Sequence, residues 1–316
     1  MPGYLEQLTL RLGSGMGRLP AAWRQRHADY LLAQQLPDGG FPGREGSSDL
    51  YYTSFALRGL ALLGRLEGEV AQRAAGFLQA RLSGQVPIVD FLSLIYGAAL
   101  LNMAAGLDVF AAAPAGWRQA VAAALEQLRR PDGGYAKTPD GQQSSMYHSF
   151  LVVLSQQLLD LPTPEPERLI AFVRSRRRDD GGFVEMEPMR RSGTNPTAAA
   201  IGLLAIHAAL DEPTRTETAD FLLDMQNDEG GWRANSRVPI ADLLSTFTGL
   251  VTLSDLGCVQ DVELQGVQAY VDLLQLPSGG FHGAVWDGGC DVEYTFYGLG
   301  ASALLAELAG LEPDES

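Results

Sequence analysis

The chain has 316 residues, 46% of them hydrophobic and 19% charged, enough for one large domain or two ordinary ones and not the composition of a disordered chain. A formal net charge of −15 speaks against a nucleic-acid partner, which requires a basic surface. Two cysteines, Cys258 and Cys290, make neither a disulfide framework nor a CxxC knuckle, so a reducing, cytoplasmic setting is expected.

Residues 1–27, which open MPGYLEQLTLRLGSGMGRLP, read as an N-terminal extension, either a docking arm or a first outer-layer helix. They lack the basic start and apolar stretch of a secretory leader. The apolar stretch NPTAAAIGLLAIHAAL is interrupted by Pro196 and His207, so no transmembrane segment is expected. Residues 28–310 read as one domain, and residues 311–316 as an acidic tail.

Within the domain one phrase recurs: PDGGF ending at Phe41, PDGGY at Tyr135, DDGGF at Phe183, DEGGW at Trp232 and PSGGF at Phe281. The first glycines, Gly39, Gly133, Gly181, Gly230 and Gly279, are separated by 94, 48, 49 and 49 residues. The long gap holds a unit without its marker, around Gly84, giving six repeats of about 48 residues. In each repeat an amphipathic segment precedes the Gly-Gly-aromatic loop, and a smoother apolar segment follows. That order predicts a helical hairpin whose second helix is buried on several sides. The last repeat is as apolar as the middle ones, so six hairpins predict a closed all-α double ring, an (α/α)6 toroid, rather than a capped solenoid.

Aligning the six second helices produces a column at their starts: Asp49, Asp90, Ser145, Gly193, Asp242 and Asp291. Tyr51, Tyr52, Tyr147, His148, Glu293 and Tyr294 stand beside it. Aspartate is a favoured helix N-cap, so the column reads first as capping. A ring of acids around one mouth would also bind a cation or supply an acid.

These repeats, with QNDEGGW, QLPSGGF and the closing DVEYTFYGLGASALL, resemble the α/α-toroid proteins of isoprenoid metabolism from about Tyr30 to Gly310. The resemblance is to the β subunits of protein farnesyl- and geranylgeranyltransferases and, more distantly, to squalene and hopene cyclases. It implies transfer of a prenyl group from a prenyl diphosphate, beside a helical-repeat partner subunit or by self-association. It also implies zinc, held by an Asp, a Cys two residues on and a His. Here the matching positions are Asp242, Leu244 and Tyr294, so only the carboxylate is kept. Cys290 and His148 are the candidate substitutes.

The resemblance also implies a diphosphate grip, but its fourth-helix His and its Tyr fall on Gly193 and Ser245 here, so the candidates are the nearby Arg190, Arg191, Arg233 and Arg237, with Tyr147 and His148. Asp242, Asp291, Glu293 and Tyr294 are the candidate catalytic residues. Two further functions fit the same sequence. One is a non-catalytic isoprenoid-binding toroid. The other is a small terpene cyclase with carboxylates at the mouth and Tyr51, Tyr52, Tyr147, Tyr294, Phe296 and Tyr297 facing carbocations. The acid-rich DxDD motif of such cyclases is missing, and Asp291 and Glu293 are the nearest pair.

Overall fold

The structure, a computed structural model, describes residues 3–82 and 87–310. The chain around Gly84 where a sixth Gly-Gly marker is expected, and the acidic tail, fall largely outside them. Thirteen α-helices are present among the described residues: α1 (Tyr4–Arg18), α2 (Ala21–Ala33), α3 (Leu50–Leu62), α4 (Gly68–Gln79), α5 (Ile88–Ala105), α6 (Trp117–Glu126), α7 (Met146–Leu158), α8 (Pro166–Ser175), α9 (Thr194–Ile206), α10 (Glu212–Met225), α11 (Leu243–Leu256), α12 (Leu264–Leu273) and α13 (Val292–Ala309).

The odd-numbered helices from α3 to α13 form the inner wall. Each packs on the next, and α13 returns to α3, so the ring closes as the repeats predict. The even-numbered helices form the outer layer, and α2 begins at Ala21, ahead of the boundary placed at residue 28. The inner helix α5 has the length and mean hydropathy of a membrane span, which the sequence reading did not single out. It is 56% buried, between α3 and α7 inside and α4 outside.

The recurring phrase is a staple between neighbouring hairpins. In the first copy Gly39 has φ +90°, a conformation open to glycine, and its Cα lies against the Arg73 backbone of α4. A side chain on Gly40 would overlap the Phe77 ring. The aromatic that follows, Phe41, is fully buried, and its N–H donates to the Thr53 hydroxyl on α3 at 2.9 Å. The same arrangement sets Gly134 against Phe172, Gly182 against Phe221, Gly231 against Tyr270 and Gly280 against Tyr30. Tyr135, Phe183, Trp232 and Phe281 are likewise fully buried. Each such ring contributes about 2–3 kcal/mol of burial. Each loop thereby ties one outer helix to the next.

The segment before α2 is neither an outer-layer helix nor an arm extended away from the ring. Helix α1 lies across the end of the ring where the inner helices finish, packed mainly on α13 and touching α3 and α7. Leu12 and Met16 are buried there. The Tyr4 hydroxyl donates to Asp255 at 2.8 Å, Arg11 pairs with the same carboxylate at 2.9 Å, and Thr9 meets the Tyr96 hydroxyl at 2.6 Å. Gly15 lets the two backbones touch, since a Cβ there would overlap the Ala303 carbonyl. The far end is closed.

Candidate active site

The Gly-Gly loops all lead into inner-helix N-termini, so six N-termini and their positive dipole ends surround the other mouth. Capping accounts for much of the acidic column. Asp49 accepts from the Tyr52 N–H at 2.8 Å, Asp242 from Ser245 at 2.7 Å and Asp291 from Tyr294 at 2.9 Å. Ser145 plays the same part for α7. Asp90 does not cap: α5 starts at Ile88 with Pro87 at the cap, which leaves the Asp90 carboxyl on its first turn. Burial, then the neighbouring Asp49, raises its pKa.

The two acids of α13 part company. Asp291 is buried, holds the helix N-terminus and receives Arg44 Nε at 3.1 Å. It is a helix cap. Glu293 points into the ring, where the Tyr51 hydroxyl of α3 donates to Oε1 at 2.6 Å and Tyr297 to the same atom at 3.4 Å. Among the described residues no protein hydrogen bond reaches its other oxygen, Oε2. Burial raises the Glu293 pKa most, Asp291 raises it further, and the two tyrosines and Arg58 oppose the rise.

Around Glu293 stand aromatic rings. Tyr51 meets Tyr52 and Phe55 edge-on, and Phe55, Phe247, Phe296 and Tyr297 form a cluster with centroids 5.3–5.7 Å apart. Tyr147, on α7, is 40% exposed, and burial, then Glu293 and Glu185, raise its pKa while Arg58 opposes the rise. Arg58 of α3 stacks over Phe55, Tyr96 and Phe296 at 4.5, 4.6 and 5.7 Å and has no carboxylate partner. It sits at the floor, where the void lined by Arg58, Tyr96, Phe296 and Leu8, Thr9 and Leu12 of α1 measures about 10 Å³. That is scarcely room for one water.

The candidate zinc ligands are not brought together. Both oxygens of Asp242 are taken by Ser245, Nδ1 of His148 lies 2.6 Å from the Ser145 hydroxyl, and Cys290 turns outward to Tyr30 at 3.1 Å. Leu244 and Tyr294 cannot supply thiolate and imidazole, and no group of three His, Cys, Asp or Glu side chains is placed to hold a metal among the described residues. The donor set does not fit zinc.

Among the expected anion ligands, Arg233 turns away from the mouth and donates to the Asp224 and Met225 carbonyls of α10. Arg190, Arg191 and Arg237 remain exposed on the loops before α9 and α11, and Arg191 reaches Ser236 across them at 3.4 Å. His148 is held below its ordinary pKa by burial, then by Lys137. Two site residues had no sequence signal as such. Arg58 lies inside an apolar helix, and Glu185, from the loop after α8, accepts from Ser145 and the Tyr147 N–H across 40 and 38 residues. Only the repeat alignment, which places Arg58 on an inward helix, offered a hint.

A larger void lies outside the ring. It measures about 690 Å³, is bordered by α4, α5 and α6, and shares no residue with the mouth.

Compared with known proteins, the family model for the prenyltransferase alpha-alpha toroid domain matches residues 12–80, 94–207 and 197–315. No curated protein sequence matches. Among solved structures, Candida albicans protein geranylgeranyltransferase-I complexed with GGPP superposes with a TM-score of 0.68 at 14% identity, over 89% of this chain and 90% of that one. The type II terpene cyclase MstE from Scytonema gives 0.59 at 17%, over 96% and 99%. A protein from Actinoplanes gives 0.57 at 17%, over 91% and 99%. At such identities the likeness is one of fold.

Proposed function

Because the chain belongs to the prenyltransferase alpha-alpha toroid family, we propose that its open mouth takes an isoprenoid amphiphile and that Glu293 starts chemistry on it by giving up a proton. The observation that carries this is Glu293 itself: a carboxyl whose pKa burial raises, with one oxygen held by Tyr51 and Tyr297 and, among the described residues, no protein hydrogen bond to the other. Proton transfer from Oε2 to an alkene carbon leaves a carboxylate that both hydroxyls already stabilise, and a carbocation at the neighbouring carbon. The exposed ring of Tyr147 offers that cation a favourable field. The Arg58 charge below disfavours a cation at the floor, which confines it to the level of the tyrosines. Loss of a proton from the cation, or capture of water, completes a cyclisation, isomerisation or hydration.

A second reading, prenyl transfer, draws support from Arg190, Arg191 and Arg237, three exposed guanidiniums on the rim of an acidic protein. They suit a diphosphate. Activation of a protein thiol by zinc is not part of it, since the ligands do not fit.

Geranyl, farnesyl and geranylgeranyl diphosphates and the matching alcohols, incubated without an acceptor, separate these readings. Cyclised or isomerised product, lost at least a hundredfold in Glu293→Gln, supports proton-initiated chemistry. Diphosphate release that needs an acceptor and survives Glu293→Gln replaces it with transfer. Saturable binding with no product in either assay leaves an isoprenoid binder.

A further inference from the structure

Five seams between neighbouring outer helices are stapled by a Gly-Gly-aromatic loop, and the sixth, between α4 and α6, is not. Three separate positions change together at that seam. The chain after α4 lacks the Gly-Gly-aromatic phrase. The receiving ring on the next outer helix is gone: Ala124 stands nine residues before Gly133, where Tyr30, Phe172, Phe221 and Tyr270 stand nine before Gly39, Gly181, Gly230 and Gly279. The inner-helix hydroxyl that catches the loop, supplied by Thr53, Ser149, Thr197 and Thr246 elsewhere, is Leu94.

The consequence is spatial. Helix α6 buries only Leu125 and leaves Ala124 exposed, whereas α4 buries five residues and α10 six. In place of the staple lies the crevice of about 690 Å³, walled by Leu82, Phe91, Leu94, Phe110, Trp117 and Val121. Phe110 and Trp117 stack on each other at 4.5 Å to form one side. The volume and the apolar, aromatic lining are those of a small-molecule site.

We infer that this seam is a second ligand site, distinct from the ring's mouth, and that it takes a neutral, ring-bearing apolar small molecule. The other five seams identify the chemistry, because each fills the equivalent space with a Phe, Tyr or Trp ring at 0% exposure. A single side chain from a partner would leave most of the volume empty, which favours a whole molecule. Neutrality follows from Arg81, the one charged residue on the lining. Its guanidinium lies on the Phe77 ring at 3.4 Å, donates to the Phe77 carbonyl at 3.1 Å and faces Asp38 at 3.7 Å. Occupancy ties α4 to α6 and completes the belt of outer helices.

Phenylnaphthylamine, an uncharged fluorescent ring compound excited by tryptophan emission, is the probe. The full-length protein should bind one molecule per chain, with a higher unfolding midpoint when bound. Ala120→Trp and Val121→Trp, which put an indole into the crevice, should weaken binding at least tenfold, while Glu293→Gln at the mouth changes it less than twofold. Should both filling variants fail to fold, Trp117→Phe gives the answer, since it should remove most of the energy transfer from protein to probe. Binding that ignores the filling variants, or energy transfer that persists without Trp117, overturns the assignment. So does the absence of saturable binding to folded wild-type protein.

Discussion

Where the inner helices begin, Glu293 is bonded through one oxygen to Tyr51 and Tyr297, and Tyr147 is 40% exposed. Where they finish, Tyr4 and Arg11 share Asp255, Thr9 meets Tyr96, and Leu12 and Met16 are each 1% exposed. The same six helices thus have one end packed under an added helix and one end without it. Helix direction does not explain the difference, because the inner helices run parallel in pattern and each end receives six equivalent termini. The added helix α1 does. It covers one end, with Leu12 and Met16 buried beneath it, and leaves the end where the inner helices begin without that cover.

Removing the fit of α1 tests that contrast most severely. Gly15→Leu drives a side chain into the Ala303 carbonyl and should cost about 3 kcal/mol in urea unfolding. A midpoint equal to wild type would mean that α1 is not seated against α13. Asp255→Ala, which leaves Tyr4 and Arg11 without their shared acceptor, should cost about 1–2 kcal/mol and leave ligand affinity at the mouth unchanged.

At the open end the signature is pH dependence. Glu293 has a folded-state pKa above its ordinary 4.5, so the unfolded chain releases that proton first. Its contribution to stability is therefore present below pH 4.5 and declines as pH rises through the folded value. Glu293→Gln should remove that decline, which paired unfolding curves across the acid range would detect; parallel curves would place the carboxyl in water. Arg237→Ala should change stability least, within about 0.5 kcal/mol, because the side chain is exposed and unpaired. Under the transfer reading it weakens binding of prenyl diphosphates several-fold and not of prenyl alcohols, a difference that calorimetry resolves.

The ring was legible because its instructions are local and repeated. A glycine pair, an aromatic and a hydroxyl on the following helix recur at fixed spacing, and each has one geometric use. Glu293 was legible only as a place in a column, since its environment is made by Tyr51, 242 residues away in sequence. Separation in sequence also hid Arg58, whose ring partners Tyr96 and Phe296 lie on two other helices. Asp90 was taken for a cap because the column was aligned on neighbours, while Pro87 starts α5 early. Arg233 was assigned to the mouth by its loop, but the loop turns that side chain toward α10 carbonyls. The seating of α1 depends on surfaces assembled from α3, α7 and α13, which no single stretch of sequence spells out.

Closure of the ring has a consequence for synthesis. Helix α3 is made early, and its neighbour α13 last of the six inner helices, so one flank of α3 stays without its partner until nearly the whole domain has left the ribosome. Contacts of that sequence span make assembly slow and leave apolar surface waiting. Helix α13 also carries Glu293 and the seat of α1. Glu293 and the packing of α1 at the opposite end are therefore installed in the same late event, and an unclosed chain has neither.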